Sequence, residues 1–360
     1  MNRFSIHRID FSLLIPAVIL VGISLSALFS IDIAFFRQQL ALLAIGIFFY
    51  FVFLNIDYRF FALYPRYIYA LIIIGFLIVI TFGTVVNGSK SWLVLFGIHL
   101  QVEEFLKPFF ILVIAHFLAF SKTPTVLKYF GSIAISIPVL FLILRQPDTG
   151  TALMYIGTFA GMMLMYSFPL KYYFLSIVAL IAPTPIILQV LRPYQKERIA
   201  TLFNLTADPF GSSYNAIQSL ISIGSGGFFG KGLGEGTQSV LRFLPERQTD
   251  FIFASICEGL GFLGGTSIIC LLFFLLFRIY KISRRLEEPY AYLIVMGVFF
   301  LILVQTVTNI GMNMGMMPII GVTLPLVSYG GSSLVTNFIL LGMVSSIGYE
   351  NKKRRTLEIV

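Results

Sequence analysis

Apolar runs of roughly 17 to 25 residues recur along this chain almost from end to end. Each is long enough as a helix to cross about 30 Å of hydrocarbon. That pattern restricts the chain to a bundle of membrane-spanning helices, because lipid offers no water to satisfy a backbone N–H or C=O group. Composition agrees: 58% of the 360 residues are hydrophobic, 11% are charged, and mean hydropathy is +0.92, far from the mix of a soluble domain. Spans are expected near 11–30, 36–55, 66–83, 102–120, 126–144, 151–168, 171–190, 250–280, 290–314 and 332–349. The fold class is therefore all-α, a polytopic integral membrane protein of about ten transmembrane helices in one domain over 1–360. The first run holds Pro16 and leads straight into the second with no small-residue cleavage site, so it reads as a retained span.

An even number of spans puts both termini on one side. Arg3, Arg8, Arg59, Arg66, Lys122, Lys128, Lys171, Arg278, Lys281, Arg284, Arg285 and the run Lys352 to Arg355 then fall on that side, against Arg37, Lys90 and Arg145 in the short loops opposite. The positive-inside bias makes the terminal side cytoplasmic. The net charge of +9 is thus an imprint of topology; its Lys and Arg are spread over short loops and one tail, which excludes a nucleic-acid surface. Cys257 and Cys270 would lie on one helix roughly 20 Å apart at about 1.5 Å per residue, too far for a disulfide.

The stretch 191–249 is a large loop on the outer side. It contains the apolar segment Tyr214 to Ile223, then Gly224-Ser225-Gly226-Gly227 and Gly230-Lys231-Gly232-Leu233-Gly234-Glu235-Gly236. Loops of this length in a compact protein are usually functional. A phosphate-binding Walker loop is excluded, since Ser225 and Gly232 stand where that motif needs Gly and Ser or Thr. Two uses of the glycines stay open: bare N–H groups beside a ligand, or a tightly folded loop.

Ionisable groups inside spans are costly and call for a partner or a role. Glu103 and Glu104 open the fourth span, with Lys107 on the same helical face and able to pair with either or to meet an anionic ligand. Asp148 follows Pro147 and precedes a span, the place of an N-cap. Asp250 also sits in an N-cap-like place where the large loop enters the bilayer beside Glu246 and Arg247, and Glu258 lies deeper on nearly the same face. His7, His99 and His116 have no companions at ligand spacing and no positioned serine, so neither a closed metal site nor a Ser–His–Asp triad is indicated.

Several segments together resemble the SEDS family of cell-wall glycosyltransferases, the RodA, FtsW and SpoVE type. They are Asn87-Gly88-Ser89-Lys90-Ser91-Trp92-Leu93, Gln101 to Lys107, Gln146-Pro147-Asp148-Thr149-Gly150-Thr151, and the stretch from Pro193-Tyr194-Gln195 through Asp208-Pro209 and Gly236-Thr237-Gln238 to Thr249-Asp250-Phe251-Ile252-Phe253-Ala254. Asn309, Gly315, Pro318, Gly321, Leu324-Pro325-Leu326 and Ser328 to Ser333 complete the set. Ser91, Val102-Glu103 and Gly259 depart from the usual pattern, and Leu244-Pro245-Glu246-Arg247 is somewhat closer to RodA than to FtsW.

The resemblance implies a peptidoglycan glycosyltransferase of the bacterial cytoplasmic membrane that polymerises lipid II at the outer face. It implies Asp250 as the catalytic general base and Glu104, Lys107, Asp148, Arg192, Arg198 and Lys231 as substrate-binding groups. A divalent cation, Mg2+ or Mn2+, is compatible with a pyrophosphate leaving group but is not required by the residues. A single-span class B penicillin-binding transpeptidase is the implied partner, with spans near 290–349 as candidate docking faces and membrane lipids as surroundings. Two rival readings remain at this level: a lipid II flippase, which broken helices and midplane charges also fit, and a noncatalytic scaffold.

Overall fold

The computed structural model describes residues 8–86, 89–95, 98–181 and 213–358. The helices are α1 (Phe11–Ile31), α2 (Ile33–Asn55), α3 (Tyr58–Ala62), α4 (Pro65–Phe82), α5 (Val102–Phe120), α6 (Thr125–Arg145), α7 (Thr149–Met165), α8 (Leu170–Ile181), α9 (Tyr214–Ser225), α10 (Thr237–Val240), α11 (Ile252–Ser283), α12 (Pro289–Asn313) and α13 (Gly331–Glu358). Seven of them, α1, α2, α4, α6, α11, α12 and α13, are long and apolar enough to cross a membrane. Helices occupy the other three expected positions as well. There α5 carries Glu103, Glu104 and Lys107, α7 is shorter, and α8 is described only to Ile181. Arg192, Arg198 and the first part of the 191–249 loop lie outside the described residues.

Aspartates punctuate the bundle. Asp10, Asp32, Asp57 and Asp148 each accept a hydrogen bond from a backbone N–H in the first turn of the helix that follows, satisfying donors that have no partner inside the helix. Asp32 alone separates α1 from α2. Burial then sorts the helices: α13 is the central post, with 89% of its span inside the protein, α12 follows at 61%, and α2 and α4 are at 22% and face lipid. The candidate docking faces on spans 290–349 are therefore covered along α13 by the chain's own helices. Close approach relies on small residues: a Cβ at Gly342 would lie 2.6 Å from the Tyr50 carbonyl, and one at Gly46 2.8 Å from the Phe338 ring, so α2 and α13 meet backbone to backbone at Gly342 and backbone to side chain at Gly46.

The Arg8 guanidinium lies 3.9 Å from Glu350, and Arg278 donates to Asp10 at 2.7 Å, so the two chain ends share one face of the bundle. Because α11 runs from beside Asp250 to Arg278 and Ser283, Asp250 belongs to the opposite face. One element was not expected. A three-stranded antiparallel sheet, β1 (Thr84–Val86), β2 (Ser89–Leu95) and β3 (Ile98–Gln101), sits at that opposite face, with Trp92 opposite both Thr84 and Gln101.

At 32 residues, α11 would be about 48 Å long, well beyond the hydrocarbon thickness, and it is interrupted at Gly261, whose φ of 67° and ψ of −162° leave the helix. The break strands the carbonyls of the preceding turn. The glycine-rich segment serves them: Lys231 N–H donates to Glu258 O and Gly232 N–H to Gly259 O, both at 3.0 Å, while Phe262 N–H returns to Gly227 O at 2.8 Å. A Cβ at Gly230, where φ is +85°, would stand 2.1 Å from the Gly259 carbonyl. The glycines are thus used for close backbone packing of the loop onto the broken helix, the second of the two uses left open.

Two measurements check this arrangement. Gly230→Ala is expected to lower stability by about 1–3 kcal/mol from backbone conformation alone, whereas Gly224→Ala, on α9 with nothing within 4 Å of the new methyl, should be neutral or gain up to about 1 kcal/mol; thermal unfolding of the detergent-purified variants separates them. For topology, a membrane-impermeant maleimide should label Glu235→Cys in intact bacteria and reach Arg284→Cys only after permeabilisation, in a background with both native cysteines replaced by alanine. Both positions are exposed, and the reverse labelling would overturn the orientation.

Candidate functional site

The face opposite the termini gathers the ionisable residues around one irregular segment between α12 and α13. Asn309 and Asn313, one turn apart on α12, each donate from Nδ2 to the Asp250 carbonyl at 2.9 Å, and Asn309 also donates to Val322 O at 2.7 Å. Asn313 Oδ1 in turn accepts from Ala254 N–H at 3.1 Å. The approach to Asp250 is fixed from the other direction: Tyr329 N–H donates to Gln248 O at 2.9 Å and Ser328 Oγ to Thr249 O at 2.7 Å. Asp250 is half-buried, and its Oδ2 stands 3.4 Å from where a Cβ at Gly321 would lie. Gly321 is in the left-handed region at φ +67°. The carboxylate is thus carried by a main chain held on both sides.

Asp250 is not the N-cap of α11, as its sequence position suggested. Phe251 takes that place without a side-chain cap, because the polar partners of this turn are the two α12 asparagines. Asp148, by contrast, is an N-cap: its carboxylate accepts from Thr151 N–H at 2.8 Å. Gly150, two residues on, packs on the Ile320 and Gly321 carbonyls, where a Cβ would come within 2.4 and 3.1 Å. The Gly321 that faces Asp250 is therefore also in contact with the start of α7.

The α5 cluster lies next to Asp148. Glu103 is fully buried, accepts from the Thr151 hydroxyl, and is met by the Gln146 side-chain amide. Glu104 and Lys107 form an ion pair at (i, i+3) spacing with side chains 7% and 3% exposed. Of the two partners the spacing allowed, Lys107 takes Glu104. Glu103 Oε2 and Glu104 Oε2 have no hydrogen-bond partner among the described residues. Lys231 Nζ lies 3.4 Å from Glu258 Oε1, and the same carboxylate accepts from Gln238 N–H, Ser239 N–H and Ser239 Oγ at 2.7–2.9 Å. Glu258 thus holds α10 and the glycine segment together. Arg247 completes the frame by donating to the Ser239 and Val240 carbonyls; burial, with Arg242 nearby, pushes its pKa down. Among the described residues no group of three or more His, Cys, Asp or Glu could hold a metal ion, so no ligand set for Mg2+ or Mn2+ is assigned.

A family model described as cell cycle protein, covering FtsW, RodA and SpoVE, matches residues 5–353. The chain belongs to this SEDS family. It is 33% identical over 358 residues to stage V sporulation protein E of Bacillus subtilis, spanning 94% of this chain and 96% of that relative. It is 35% identical over 326 residues to the peptidoglycan glycosyltransferase MrdB of Escherichia coli K12, spanning 89% and 87%. A solved chain from a peptidoglycan synthase complex, described in terms of coordinated polymerization and crosslinking, superposes with a TM-score of 0.84 at 26% identity, covering 95% of this chain and 98% of the other.

In this SEDS chain the structure brings Gly150, two residues after Asp148, and Asp250 to the same short segment and sets Glu104 and Lys107 near Asp148 through Glu103. It places Lys231 on Glu258. Gln146, Asn313 and the structural use of Arg247 were missed by sequence reasoning. A polar residue recurring one helical turn after Asn309 was the available signal for Asn313; the Glu103 partner of Gln146 is distant in the chain, and Arg247 meets backbone carbonyls of Ser239 and Val240 that no side-chain pattern marks.

The buried pair yields a test. Lys107→Met alone strands Glu104 and should cost about 3–5 kcal/mol, while Glu104→Gln with Lys107→Met removes both charges and should lie within about 1 kcal/mol of the parent. Unfolding midpoints of purified protein measure both, and equal losses for the single and double variants would dismiss the pair as a stability element.

Proposed function

We propose that the chain is a peptidoglycan glycosyltransferase that polymerises lipid II at the outer face of the bacterial cytoplasmic membrane, with both termini cytoplasmic. The observation that carries this reading is the doubly held Asp250, a half-buried carboxylate on a rigid main chain, placed at the same end as Glu104, Lys107 and Asp148. The names of its SEDS relatives support the activity class.

The acceptor sugar hydroxyl attacks the anomeric carbon of the donor and gives its proton to Asp250, while the bond from that carbon to the phosphate oxygen breaks. Undecaprenyl pyrophosphate leaves as an anion. It is a good leaving group, so one carboxylate is enough and a second acid is not called for. Cationic side chains stabilise the developing charge: Lys231 from the loop, Lys107 once substrate competes for it, and Arg192 and Arg198 from the part of the loop outside the described residues. Glu103 Oε2 and Glu104 Oε2, buried and without a partner among the described residues, would become acceptors for sugar hydroxyl or amide groups only if substrate binding exposed the start of α5.

A flippase would need polar groups continuing toward the terminal face. The α11 shaft in that direction instead presents Ile268, Leu272, Leu275 and Ile279, each no more than 1% exposed, to the core, which favours polymerisation at one face. Crosslinking is assigned to a separate class B penicillin-binding transpeptidase, in keeping with the synthase complex whose chain this one resembles.

Purified protein given labelled lipid II should produce glycan ladders on gels. Asp250→Asn should reduce polymer by about 10²-fold or more at unchanged folded yield. Polymer from the Asn variant at near-parent levels would remove Asp250 from the base role.

A further inference from the structure

We propose that the concavity between the two chain ends, on the face away from Asp250, binds a phosphate-bearing anionic ligand of the kind a phospholipid headgroup carries. It is a cavity of about 490 Å³ lined by Arg8, Arg278, Arg285 and Lys352, with Asp10 the acidic lining residue among the described residues. Topology accounts for basic residues on this face, but it does not account for their convergence on one hollow. On α11, Arg278 and Ile282 fall four residues apart, with Arg285 in the turn just past the helix end, and on α13 Ser345, Tyr349 and Lys352 fall at four- and seven-residue spacing, so one stripe of α13 and the end of α11 face the cavity.

Arg278 and Arg8 are only partly answered among the described residues. Asp10 takes Arg278 Nη2 at 2.7 Å, yet Arg278 Nε is buried with no partner among the described residues. Arg8 has a long 3.9 Å contact to Glu350 and otherwise stacks over Tyr349 at 5.1 Å. Gly348 keeps the floor open, since a Cβ there would meet nothing closer than 3.6 Å. Donors from guanidinium groups around one hollow match phosphate oxygens, which accept charge-assisted bonds in forked geometry. The rim is apolar toward the membrane: Phe11, 52% exposed, stands at the start of α1 and offers a path for an acyl chain. Basic pockets between transmembrane helices commonly take anionic headgroups. A phosphodiester in a lipid, with two non-bridging oxygens, and a soluble phosphate monoester, with three, both present anionic phosphate oxygens, so the lipid or the aqueous phase can supply the ligand.

Binding to the full-length protein in detergent, read by ligand-dependent unfolding temperature, tests the site. The probes are phosphatidylglycerol, phosphatidylcholine and sn-glycerol 3-phosphate; the variants are Arg285→Gln with Lys352→Gln in the cavity, and Arg66→Gln with Lys122→Gln as an equal charge change elsewhere on the terminal side. All four residues are exposed, so folding should be preserved. Phosphatidylglycerol should bind the parent and the remote variant alike and the cavity variant roughly tenfold or more weakly, with phosphatidylcholine ineffective. Glycerol phosphate binding as tightly as phosphatidylglycerol, with the same loss in the cavity variant, supports the phosphate site and assigns it a soluble ligand; its failure to bind supports the membrane source. Equal weakening in both variants, or none in the cavity variant, overturns the proposal.

Discussion

A helix that breaks inside a membrane protein must find donors for the carbonyls it strands, because each unsatisfied group in a low-dielectric interior costs several kcal/mol. In this chain that requirement falls on Glu258 and Gly259 ahead of the break at Gly261, and Lys231 and Gly232 meet it. Docking the glycine-rich segment there brings the rest of the outer face into place. Glu258 gathers the start of α10, Arg247 ties α10 to the turn before α11, and Asp250 arrives between α12 and the 321–329 segment. Glycine is required where backbone meets backbone, as the 2.1 Å clearance at Gly230 makes plain.

Charge is handled locally at the same face. Glu104 has Lys107, Glu103 has Gln146 and Thr151, Asp148 has the first turn of α7, and the Asp250 main chain has two asparagines. Such a network is rigid when satisfied and costly when broken, since low dielectric strengthens both its bonds and its defects. Its connection is physical: Gly150 packs on the Ile320 and Gly321 carbonyls, and the Asp250 carboxylate faces Gly321.

Much of the architecture was legible in the hydropathy pattern. The spans near 11–30, 36–55 and 102–120 match α1, α2 and α5 within a few residues, because a run of apolar residues in lipid has no alternative to a helix that bonds its own backbone. The β1 to β3 sheet was lost in the same reading. Of its strands of three, seven and four residues, the longest shows no apolar–polar alternation and the other two are too short to set a period, and Asn87-Gly88 is the local hairpin signal in the sequence.

The sequence by itself determined the membrane class, the common face of the termini, the Asp148 cap and the family, since each rests on residues close together in the chain or on motifs in a set order. Tertiary structure alone decided that Lys107 pairs with Glu104, that the glycine run seals a broken helix, and that Asp250 is held by Asn309 and Asn313 instead of capping α11. The last two depend on partners brought from distant positions in the chain, and the first on how α5 is buried. No periodicity encodes such contacts, because they exist only after the helices have packed.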